Sequence, residues 1–60
     1  QSKEDLCFEI ATDVDKGDYS VAYRKLESFC LEYSTRQFHE CVKLNDWMSD
    51  EQIAHLLSEG

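Results

Sequence analysis

Apolar positions recur along this chain every three or four residues and nowhere alternate with polar ones over a useful length. That periodicity predicts helices and no strands. Leu6, Cys7, Ile10, Ala11 and Val14 fall on one stripe of a first helix over residues 3–16, opened by a Ser2-x-x-Asp5 start. Gly17 suits the left-handed residue that closes a helix, and Asp18 is expected to cap a second helix over residues 19–33. The inward face of that helix reads Tyr19, Ala22, Leu26, Phe29, Cys30 and Tyr33, widened by Tyr23 and Leu31. With only Gly17-Asp18 between them, the two helices must fold back as an antiparallel hairpin.

Two further starts follow. Ser34-Thr35-Arg36-Gln37 is a capping-box pattern with Tyr33 and Phe38 as its staple, and it opens a third helix over residues 35–44 that presents Phe38, Cys41 and Val42. Trp47 stands where that helix would gain another half-turn past the interruption at Asn45-Asp46. Ser49-Asp50-Glu51-Gln52 is a second box with Met48 and Ile53 as its staple, opening a last helix over residues 50–58 with Ile53, Leu56 and Leu57 inward. The expected architecture is all-α: a helical hairpin followed by one or two short helices, in a single small three- to four-helix bundle over residues 1–60. Its core is marginal, because a chain this short buries only about 60% of the surface its unfolded form exposes.

The segment KGDYSVAYRKLESF, residues 16–29, resembles the turn and second helix of a tetratricopeptide-type hairpin, in which a Gly-x-Tyr-x-x-Ala pattern seats one helix on the other. The resemblance covers about a quarter of the chain and implies a way of packing rather than a function. The tryptophan and proline positions of that family are missing, and the chain is too short for several stacked repeats of about 34 residues.

Charge narrows the list of partners. The net charge is −7, and it is unevenly spread. Residues 1–18 carry six acids against Lys3 and Lys16, residues 19–45 carry three against Arg24, Lys25, Arg36 and Lys43, and residues 46–60 carry four acids and no base. Acidic ends around a balanced middle leave no basic patch, so direct binding to nucleic-acid phosphates is not expected. No run approaches the roughly 20 apolar residues of a membrane span, and no signal-peptide pattern is present. Three cysteines, Cys7, Cys30 and Cys41, cannot all pair within one chain, which reads as a reducing, cytoplasmic setting. One bridge plus a free thiol is the alternative arrangement.

Candidate chemistry is sparse. An EF-hand loop counted from Asp13 would need a ligand, a glycine and a glutamate where Gly17, Asp18 and Arg24 stand. The cysteines lie 23 and 11 residues apart rather than in close zinc-binding pairs, and each sits on an apolar stripe where a free thiol behaves as a small hydrophobe. In HECVK, residues 39–43, Lys43 takes the place of a metalloprotease helix's second histidine. The serines have no neighbouring base at helical spacing, and there is no glycine-rich phosphate loop. A non-enzyme without cofactor or metal is expected.

Surfaces are left. Asp5, Glu9 and Asp13 stack one helical turn apart with no lysine or arginine between them, a repulsion of about 0.2–0.5 kcal/mol per pair. Either this is a solvated face, with Asp13 reaching Lys16, or it complements a basic surface of another protein. Phe8 lies beside that face, and Phe8, Tyr23, Leu31 and Trp47 are more apolar bulk than a tiny core hides. Either Trp47 plugs the bundle end and Phe8 packs under the last helix, or these residues anchor an interface. The expected partner-binding set is Asp5, Phe8, Glu9, Asp13, Tyr23 and Trp47. The expected function is a protein–protein interaction module, a regulator or inhibitor, with a homodimer as a companion possibility. The alternative is a nucleic-acid mimic that occupies the DNA- or RNA-binding site of a regulator or nuclease.

Overall fold

Four helices account for most of residues 2–59, which the computed structural model describes: α1 (Lys3–Asp15), α2 (Tyr19–Glu32), α3 (Thr35–Leu44) and α4 (Asp50–Leu57). No strand occurs among the described residues. The protein is a small all-α bundle in which α1 and α2 form the most extensive helix pair.

The ends of the helices follow from local chemistry. The Ser2 hydroxyl accepts from the Asp5 N–H at 3.2 Å to open α1. Gly17 closes it at φ +85°, with its N–H on the Val14 carbonyl and the Asp18 N–H on the Asp13 carbonyl, both at 2.9 Å. Those two bonds are the paired closure of a Schellman motif. Asp18 does occupy the N-cap of α2, but its carboxylate makes no capping bond. The reason is its backbone: ψ is 63° at Asp18, against 163°, 162° and 165° at the capping serines Ser2, Ser34 and Ser49. Side-chain capping needs the extended conformation that the short turn denies it.

At α3 the Ser34 hydroxyl accepts from the Gln37 N–H at 3.1 Å, while the Gln37 side chain meets the Ser34 hydroxyl at 3.4 Å rather than the Ser34 backbone, so the expected box is half formed. At α4 the box is complete: Gln52 N–H to Ser49 Oγ at 3.2 Å and Ser49 N–H to Gln52 Oε1 at 2.9 Å. Asp46 ends α3 at φ +54°, and the Trp47 N–H donates back to the Val42 carbonyl at 2.9 Å. Trp47 therefore turns away and does not extend the helix. Lys43 Nζ then reaches Asp50 at 2.8 Å across the α3–α4 turn, which holds that carboxyl below its ordinary 3.8.

The core is built from every helix: Ile10 and Val14 from α1, Leu26 and Phe29 from α2, Phe38 and Val42 from α3, and Ile53 and Leu56 from α4, with Met48 from the α3–α4 connection. Phe29 sits at its centre, edge-to-face with Phe38 at 5.8 Å and tilted against Tyr33 at 4.8 Å. Cys7 and Cys41 are buried neighbours joining α1 to α3, and burial, then hydrogen bonding to Cys41, pushes the Cys7 thiol from 9.0 up to about 12. All three cysteines are free thiols. The apolar stripe is narrower than expected on two helices: Leu31 is 88% exposed and Leu57 42%.

The C-terminal end of α4 is fastened to the start of α2. His55 stacks on Tyr19 with ring centroids 3.8 Å apart, and Ser20 donates to Glu59 at 3.3 Å. Gln52 donates to Asp15 at 3.2 Å, which ties the start of α4 to the end of α1. Among the described residues, no helix is long and apolar enough to cross a membrane.

Candidate partner-binding surface

The carboxylate ladder of α1 follows from helical spacing, but its surroundings come from α2. The antiparallel hairpin lays Lys25 across the ladder, with Nζ 2.7 Å from Asp13 Oδ2 and 4.0 Å from Glu9 Oε1. Asp13 is 9% exposed, and its Oδ2 is shielded from water with no other polar partner among the described residues, so the ammonium is what meets its charge. A buried carboxylate needs such a counter-charge, since desolvation otherwise penalises it. The contact with Asp13, ahead of the charge of Glu9, holds Lys25 above a lysine's ordinary 10.5. The expected Asp13–Lys16 pairing is replaced: Asp13 faces α2, whereas Lys16, at the C-cap, is exposed.

Phe8 is 54% exposed and does not pack under α4. Its ring meets Trp47 edge-to-face, with centroids 5.2 Å apart and planes at 66°. Trp47 is half-buried against the core. An edge-to-face aromatic pair contributes about 0.5–1.5 kcal/mol beyond its area, and here it favours placing a large apolar ring at the surface against Trp47. Beside it Phe8, Glu9, Thr12, Asp13, Lys16 and Lys25 line a shallow cleft of about 260 Å³. Thr12 donates to the Phe8 carbonyl at 2.8 Å, so its hydroxyl is occupied by its own helix.

Four of the six expected residues are thus brought together: Phe8, Glu9 and Asp13 on one cleft, with Trp47 under Phe8. Asp5 is exposed one turn before Glu9. Tyr23 is not with them; it lines a separate groove between α2 and α4 with Leu26, Leu31 and Leu57. Sequence reasoning missed Lys25 at this site, whereas Lys16, expected to pair with Asp13, lines the cleft without doing so. Lys25 was legible in principle, because a hairpin turning at residues 17 and 18 sets residue 25 opposite residue 10, between Glu9 and Asp13.

No protein-family model, curated protein or solved structure matches this chain.

Proposed function

We propose that this chain is a small acidic helical interaction module, a regulator or inhibitor, that binds a basic surface of another protein through the exposed face of α1. The observation that carries this reading is the half-exposed Phe8 ring packed edge-to-face on Trp47, flanked by the carboxylates of Asp5 and Glu9. An oriented aromatic supplies desolvated contact area, and the surrounding acids steer a basic partner and set its orientation. Lys25 leaves the ladder only partly neutralised, with Asp5 carrying no ion pair among the described residues.

Nucleic-acid mimicry is the weaker reading. A mimic presents an unbroken row of anions to a phosphate-binding groove, and here a cation lies across two of the three.

The test compares proteins captured from the native host by the wild-type chain, by Phe8→Ala and by Asp5→Lys/Glu9→Lys. Loss of the same partner from both variants supports the module. Retention of every partner by both variants overturns it. Binding that survives Phe8→Ala, fails in the charge reversal and weakens steeply with salt selects the mimic instead.

A further inference from the structure

We infer that the exposed stripe of α2 is the two-fold interface of a homodimer, in which Arg24 of each copy pairs with Glu27 of the other. This surface is independent of the α1 face.

The stripe is Ser20, Arg24, Glu27 and Leu31, all exposed. Their spacing of four, three and four is that of a helix–helix seam. Two such helices packed antiparallel about a two-fold axis pair positions 24 with 27 in the two central layers and 20 with 31 in the two outer ones. Arg24 and Glu27 have no ion-pair partner among the described residues, so their charges are available to a second copy. In that arrangement the Arg24–Glu27 pair forms twice, once in each central layer. Parallel packing would set Arg24 against Arg24 and Glu27 against Glu27, which like-charge repulsion disfavours.

The apolar residues fit the same operator. A groove of about 700 Å³ runs along α2, lined by Tyr23, Leu26, Leu31 and Leu57. Leu31 projects from its C-terminal end and is 88% exposed. Leu57 flanks the other end, because the Tyr19–His55 stack and the Ser20–Glu59 bond hold that part of α4 at the start of α2. The two-fold brings Leu31 of each copy over the Tyr23–Leu57 end of its counterpart. A hydrophobic side chain thus finds a hydrophobic seat, as a self-complementary interface requires. Docking along a single 14-residue helix buries less than the roughly 800 Å² per partner of a standard interface, so the dimer is a weak one.

Sedimentation equilibrium of the purified chain from about 10 µM to about 1 mM, the range that a small interface requires, should show a reversible monomer–dimer transition. Arg24→Glu and Glu27→Arg singly should each weaken it by about tenfold or more, and the exchanged pair Arg24→Glu/Glu27→Arg should return it to within about threefold of wild type. Leu31→Ser should also weaken it. All these positions are exposed, so unchanged circular dichroism is expected to verify folding of each variant. A chain that stays monomeric to the upper concentration overturns the inference. So does a dimer that the exchanged pair fails to restore, or one that Phe8→Ala disrupts while Leu31→Ser leaves it intact.

Discussion

Lys25 on α2 and Asp13 on α1 stand 2.7 Å apart, and the Asp13 side chain is 13% exposed while the lysine side chain is 40% exposed. The pair joins the two helices of the hairpin at the point where the acidic ladder would otherwise repel itself. Removing the cation alone leaves a shielded carboxylate without its counter-charge, the costly way to break such a pair. Lys25→Met should therefore lower the thermal midpoint well below that of the control Arg24→Met. The double change Asp13→Leu/Lys25→Met should recover most of that loss, since an apolar pair of similar volume needs no charge compensation. Thermal melts of the four chains at low and high salt test this.

Alkaline pH should destabilise the fold through two groups. Cys7 is protonated in the native state up to about 12, whereas the thiol of the unfolded chain titrates near 9.0. Its contribution is complete below 9.0 and declines as pH rises from there toward about 12, because the unfolded chain then holds fewer protons. The slope from this one group reaches at most about 1.4 kcal/mol per pH unit. Lys25, raised above 10.5, acts in the same direction: its stabilisation is present below that value and lost as pH passes the raised one. Urea unfolding at a series of alkaline pH values should show falling stability, and Cys7→Ala should flatten the slope from its lower baseline. Consistently, iodoacetamide at about pH 8 should modify half-buried Cys30 in the native protein and reach Cys7 and Cys41 only after denaturation.

Two of the described residues have positive φ, and they should respond oppositely to substitution. Gly17 is at +85° with open space where a Cβ would stand, so Gly17→Ala costs only the backbone strain, about 1 kcal/mol. Asp46 is at +54° and already bears that strain, so Asp46→Gly should stabilise by about 0.5–1 kcal/mol. For a domain of this size each kcal/mol is about 4–8 °C in Tm, which calorimetry resolves.

The caps should differ in the same way. Ser49→Ala removes one bond of a complete capping box and should cost about 1 kcal/mol, read as faster hydrogen exchange in α4. Asp18→Ala removes a side chain that makes no capping bond and should change stability by less than about 0.5 kcal/mol. Equal losses from the two would contradict the turn geometry described above.

Much of this was legible in the chain. The helix spans, the glycine closure of α1 and the Ser49–Gln52 box were all read to within a residue, because each depends on neighbours at most four positions apart. Errors fell where a side chain had a local choice. Asp18 and Gln37 have the right identity for their capping roles, but the turns around them set other backbone angles and hydrogen bonds. Leu57 matches the apolar period of its helix, yet packing left it outside because a bundle this small covers only one narrow stripe of each helix. Leu31, counted among the bulk that such a core does not hide, is exposed as well.

By itself the sequence determined that the chain is a helical hairpin with one or two further short helices around one apolar interior, since periodicity and end signals act over a single turn. It also determined that Asp5, Glu9 and Asp13 share a helix face. Only the tertiary structure decided that Lys25 crosses that face, that Phe8 rests on Trp47, and that Tyr23 belongs to a different groove. Those relationships join residues from different helices, where the crossing and depth of packing, rather than spacing along the chain, choose which side chains meet.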